Sequence, residues 1–151
     1  MYIEHLPLQD FLYNEASLYK EKSVKDLIII DGKNNEVFEI TKAYVDCSIS
    51  KYYIIPGFNA TSVDGFTMTE NICVAEGVVN LSMEYISANE SSQLCAINTR
   101  KNFSTFIMLP NNYLQGSDIT INCKADYISV NKITPIQLFY FIHISLSFNI
   151  Y

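Results

Sequence analysis

Apolar and polar side chains alternate along most of this chain, and the alternation is sharpest between Glu76 and Pro110. Val79, Leu81, Met83 and Tyr85 share one phase, and Asn80, Ser82 and Glu84 share the other. A period of two is what a strand with one buried and one wet face requires. After the polar stretch ANESSQ the pattern resumes: Phe103, Thr105, Ile107 and Leu109 fall on one face, while Phe106 and Met108 make the other face apolar as well. Pro110 ends the strand, because proline cannot donate to a ladder.

The rest of the chain reads in the same way. Leu27 to Ile30 is a short apolar run closed by Asp31-Gly32, a turn signal. Val37 to Ile55 is a long segment with two registers, Phe38, Ile40 and Tyr44 in one and Ala43, Val45, Cys47 and Ile49 in the other. The change of phase near Lys42 predicts a bulge or the join of two strands. Pro56-Gly57 is expected to break it, and Thr67 to Ala75 forms a further strand. Beyond Pro110, Ile119, Ile121, Cys123, Ala125 and Tyr127 alternate until the phase slips at Ile128, where a second bulge is expected. A long last strand runs from Ile136 to Phe148.

Residues 1–26 are ambiguous. Leu8, Phe11, Leu12, Ala16 and Tyr19 fit one face of a short amphipathic helix. The same stretch also reads as an extended arm whose anchors, Tyr2, Leu6, Leu8, Phe11 and Leu12 among them, dock either on their own domain or on a neighbouring subunit. The expected fold is therefore all-β: an antiparallel β-sandwich or partly closed barrel of about seven to eight strands. It occupies residues 27–151 as a single domain, preceded by an N-terminal arm or short helix over 1–26.

Composition narrows the function classes. The chain has 151 residues, 49% of them hydrophobic, enough for one domain with a real core. A net charge of −6 with scattered basic residues disfavours a nucleic-acid backbone as partner. No basic n-region followed by an apolar core marks a signal peptide after Met1. The last strand is interrupted by Gln137, His143, Ser145 and Ser147, so no membrane span is expected.

Chemistry-bearing motifs are missing. His5 and His143 are the two histidines, and His143 sits mid-strand, where a face-filling role is the ordinary one. No nucleophile elbow, zinc-protease, P-loop, dinucleotide or calcium-loop motif occurs, and no pair of carboxylates is singled out. The sequence therefore predicts no enzyme, no catalytic residue and no cofactor. Cys47, Cys73, Cys95 and Cys123 are far apart, without the close pairs of a zinc site, so no metal is expected. They read as buried apolar thiols, or as disulfide and cross-link partners within or between subunits. Spacing does not choose among the internal pairings. The N-x-S/T sequons at Asn59, Asn80, Asn89 and Asn102 are the chance product of an asparagine-rich chain.

Two of these segments carry a resemblance. Cys73-Val74-Ala75-Glu76-Gly77-Val78 running into Leu81-Ser82-Met83-Glu84-Tyr85-Ile86, and Phe103-Ser104-Thr105-Phe106-Ile107-Met108-Leu109-Pro110, resemble strands of the SPOCS (spore coat structure) domain of endospore-forming Firmicutes. With Ile119 to Val130 and Ile136 to Phe148 the likeness covers about residues 40–148. The resemblance implies a structural protein of the spore envelope, in the coat, the exosporium or a surface appendage, reached after synthesis in the mother-cell cytoplasm. It carries no catalytic residues. The implied partners are copies of this chain, joined by strand or arm contacts, and other spore coat proteins. A monomeric sandwich is the competing expectation. It would present loops such as Phe58–Phe66 or Asn111–Asp118 to a glycan or a protein, or act as an adaptor on another coat protein.

Overall fold

The computed structural model describes residues 16–31, 35–61, 63–65, 67–89, 92–110, 113 and 116–150, with the backbone alone at 16–17, 58–60 and 67–70. Six strands are found among them: β1 (Ala16–Ile29), β2 (Val37–Thr61), β3 (Thr67–Ser87), β4 (Leu94–Met108), β5 (Ile119–Thr134) and β6 (Gln137–Ile150). They form two antiparallel three-stranded sheets, ordered β1-β6-β5 and β2-β3-β4. The central strands β6 and β3 lie face to face. On one side β1 packs over β4, and on the other β2 packs over β5.

This is a sandwich and not a barrel, and it has fewer strands than the seven to eight expected. The reason is strand length. A usual strand has about five to six residues, whereas β2 has 25 and β3 has 21. Pro56-Gly57 does not end β2: the chain absorbs it in a register shift between Ile55 and Phe58, with Gly57 at φ 64° and its N–H donated to Asn71 Oδ1. Glu76-Gly77 likewise sits inside β3 instead of separating two strands. The N-terminal side differs too. No helix occurs among the described residues, and Ala16 to Asp26 belong to β1, paired along their length with β6.

Alternation builds the core. Every second residue of β6, from Leu138 through Tyr140, Ile142, Ile144, Leu146 and Phe148 to Ile150, is buried, and the residues between them are half-buried. β3 answers with Cys73, Ala75, Val79, Leu81, Met83 and Tyr85, β4 adds Phe103 and Ile107, and Leu109 follows just beyond its end. Each fully buried side chain of this size contributes about 1.5–3 kcal/mol by leaving water. Gly77 occupies the one position in that series where a side chain has no room. A Cβ there would stand 2.6 Å from the Ser48 carbonyl oxygen and collide with the Phe103 ring, which lies across the glycine from the paired strand.

Two crossings join the sheets at opposite ends. Between β1 and β2 the chain passes the β5–β6 turn, with Ile30 N–H donating to the Ile136 carbonyl and Val37 N–H to the Pro135 carbonyl. Tyr85, buried on β3, donates its hydroxyl to the Asn35 carbonyl at 2.9 Å and pins the same crossing. At the other end the segment after Leu109, which itself donates to the Asn71 carbonyl, carries the chain from β4 to β5.

Candidate functional site

Strand register divides the molecule's sides. β1 pairs with β6, and β4 with β3, without a single shift. β2 carries four shifts, at Val37/Glu39, Ile40/Lys42, Ile49/Lys51 and Ile55/Phe58. β5 carries two, at Ala125/Tyr127 and Lys132/Thr134. In each case the extra residue is in the outer strand. A bulge bends and twists an edge and disrupts the row of backbone groups it would offer to another strand; an unbulged edge keeps that row in regular order. Both regular edges, β1 and β4, lie on the same side of the sandwich.

That regular side is held by charge. Lys101 on β4 reaches Asp26 on β1 at 2.7 Å across the gap between the sheets. The hydrogen bond from Lys101, the Leu27 N–H and the lysine's charge hold the Asp26 carboxyl below the usual carboxylate range, and Asp26 in turn raises Lys101. Further along, the Lys20 ammonium stands 4.7 Å from the centre of the Phe106 ring. Phe106 belongs to an apolar depression of about 360 Å³ on the outer face of the β2-β3-β4 sheet, formed with Ile55, Val74 and Met108.

The bulged side is held differently. Cys47 on β2 and Cys123 on β5 meet there, and Lys132 Nζ donates to the Phe38 carbonyl at 3.1 Å, again from β5 to β2. Burial, then the neighbouring Cys123, push the Cys47 thiol up to about 12. The other two cysteines are apart from this pair. Cys73 is fully buried in β3, which pushes its thiol up to about 11. Cys95 sits beside Tyr85 at the far end of β4, its thiol 3.8 Å from the Gln93 carbonyl. All four are free thiols.

At the end of the sandwich an open cleft of about 490 Å³ is lined by Tyr52, Ile54, Pro56, Asn71, Tyr113 and the Gly116–Asp118 turn. Burial, with Cys73 and Tyr52 nearby, raises the Tyr113 phenol. The cleft joins one of the two loops expected to face a ligand to the end of β2. The side chains of Phe58 and Phe66 lie outside the described residues, as do the anchors Tyr2, Leu6, Leu8, Phe11 and Leu12.

One cluster had no sequence signal. On the outer face of the β1-β6-β5 sheet, His143 stands between Glu21, 3.7 Å from Nε2, and Asp126, 3.5 Å from Nδ1. The bulge at Ala125/Tyr127 turns Asp126 toward β6, where Ser145 donates its hydroxyl to the same carboxylate oxygen. The three carboxylate and imidazole groups come from three strands, with Glu21 more than a hundred residues from the other two, so spacing does not bring them together. Ser145 is bonded to the carboxylate and not to the imidazole, and the cluster ties three strands together across the outer face. Among the described residues no group of His, Cys, Asp or Glu is arranged to hold a metal ion, and no helix is long and apolar enough to cross a membrane.

No family model matches the chain, and neither a curated protein nor a solved structure does.

Proposed function

We propose that this chain is a structural subunit of the bacterial spore envelope that assembles with copies of itself through the β1/β4 side of the sandwich. The observation that carries the reading is the unbroken register of β1 and β4, two outer strands of 14 and 15 residues that lack the bulges of the opposite side. A regular, unbulged edge of this kind is the template on which a second copy adds a strand. The spore assignment rests on the resemblance of Cys73–Ile86 and Phe103–Pro110 to the SPOCS domain.

One pairing side by itself joins copies two by two, because a symmetric contact closes on itself. Growth beyond a pair takes a second, different contact. The anchors Tyr2, Leu6, Leu8, Phe11 and Leu12 supply it in this reading. Electron microscopy and sizing of the purified full chain under reductant test the proposal. Filaments or sheets are expected, reduced to pairs when residues 1–15 are deleted. A monomer at high concentration overturns it.

A second reading is favoured by the cleft beside Tyr113. Its volume lies in the range of about 300–1,000 Å³ typical of small-ligand sites, and Tyr52, Asn71, Ser117 and Asp118 give it polar groups. In that case the protein is a monomeric binding or adaptor module for a glycan or another coat protein. Substituting Tyr113 with Ala would then abolish ligand capture, whereas assembly of the full chain would be unaffected.

A further inference from the structure

Four cysteines allow three ways of pairing all of them, and the register rejects each as a complete set. Cys47 is paired with Val79 on β3, Cys73 lies six residues from Val79 along the same strand, and Cys95 is paired with Tyr85, six residues the other way. At about 3.3 Å per residue, each of these thiols is roughly 20 Å from Cys47 along the sheet, and roughly 40 Å separates Cys73 from Cys95. A disulfide needs Cα atoms within about 7 Å. Cys73 and Cys95 therefore have no intramolecular partner in the folded chain.

Cys47 and Cys123 do. Directly paired residues point to the same face of a sheet. Cys47 shares the face of Val79, and Cys123 shares the face of Leu146. Val79 and Leu146 are both buried between the sheets, so the two cysteines point into the same gap, from β2 and from β5, which pack against each other there. Cys123 acts on the Cys47 thiol as a neighbouring group. Both are partly exposed at the sandwich edge, within reach of a small reagent. The contact arises because the phase changes at Thr41 and Asp126 leave Ala43–Ile49 and Ile119–Ala125 facing inward over the same stretch.

We infer that Cys47 and Cys123 form an oxidisable staple between the two sheets, closed by a low-molecular-weight disulfide and leaving Cys73 and Cys95 as free thiols. The step is a pair of exchanges. One protein thiolate attacks the small disulfide, breaks its S–S bond and releases one small thiol. The other protein sulfur then attacks the mixed disulfide, forms the Cys47–Cys123 bond and releases the second small thiol. The two thiol protons end on the two released molecules, so the protein loses two electrons and the small disulfide gains them. The high proton affinity of the Cys47 thiol makes the reaction slow at neutral pH and faster in mild alkali. The bridge closes β2 onto β5 on the bulged side and leaves the β1/β4 edges untouched, so it hardens the subunit without linking one subunit to the next.

The test is incubation of the folded full chain with oxidised glutathione, followed by thiol counting and peptide mapping. The count should fall from four thiols to two, with the Cys47 and Cys123 peptides joined within one chain and the melting temperature raised by several degrees. A Cys73→Ser/Cys95→Ser double variant should bridge as the natural chain does, and a Cys47→Ala variant should not. A bridge that links chains, one that includes Cys73 or Cys95, or a stable glutathione adduct on Cys47 with no bridge would overturn the inference.

Discussion

The two sides of the sandwich are built from the same kind of strand and closed by opposite means. On the β2/β5 side the outer strands are bulged six times in all, the gap is filled by apolar side chains and two thiols, and Lys132 reaches a backbone carbonyl across it. On the β1/β4 side the strands run without a shift, and a lysine–aspartate pair and a lysine over an aromatic ring bridge the gap. Bulges protect an edge against further pairing, and exposed charge pairs hold one only weakly. One side of the molecule is sealed. The other keeps the regular edges on which the proposed pairing rests.

Breaking the asymmetry at the open edge should have the largest effect. Thr99 shares the inward face of Leu81 in the regular pairing of β4 with β3. A lysine there puts an inward-pointing charge in the edge, a device that stops edge-to-edge pairing. Thr99→Lys should abolish assembly in sizing experiments while circular dichroism still shows the native fold. Ala43→Lys, the matching change in bulged β2, should leave assembly as it was. Equal effects from the two would remove the distinction between the sides.

The next effect in size concerns the middle of the β2-β3-β4 sheet, between the two sides. Gly77 is the point where β2 and the Phe103 ring approach too closely for any side chain. Gly77→Ala should cost about 1–3 kcal/mol in denaturant unfolding, as overpacking does. The same change at Ser104, exposed on the outer face of β4, should cost almost nothing. If Gly77→Ala were neutral, the Ser48 carbonyl of β2 and the Phe103 ring would not close tightly on Gly77.

Smaller still is the contribution of the charged bridge. Because Asp26 is lowered, its share of stability is present above the ordinary carboxylate range and lost as pH falls through its folded value. Because Lys101 is raised, its share is present below the ordinary lysine range and lost as pH rises through its folded value. The pair therefore works between about pH 4 and about pH 10. Both groups are exposed, so Asp26→Asn should lower the melting temperature slightly in that window, not at all outside it, and less in high salt. A salt-independent loss would point to packing instead of charge.

Much of this architecture could be read from side-chain order. The phase change near Lys42 is the shift between Ile40 and Lys42, and the slip near Ile128 is the shift at Ala125/Tyr127. The inward series of β4, of β6 and of β3 from Val79 onward are those the alternation marks; earlier in β3 the marked phase is Met68, Ile72 and Val74, whereas Cys73 and Ala75 are the residues that line up with Val79 in the core. What escaped was length and partnership. Leu18 to Asp26 read as part of a short helix or an extended arm because charged residues crowd both faces of an outer strand, where Leu18 and Val24 alone are buried. Pro56-Gly57 reads as a break, yet an outer strand tolerates a proline at a bulge. The contacts between Cys47 and Cys123, and among Glu21, His143 and Asp126, depend on which strands lie side by side. Periodicity reports a residue's face and not its neighbour.

Hydrogen exchange of the full chain, compared between dilute and assembled states, bears most directly on the unequal sides. Amides of β1 and β4 should gain protection on assembly while those of β2 and β5 exchange at unchanged rates. Protection gained along β2 and β5, or gained nowhere, would contradict the account.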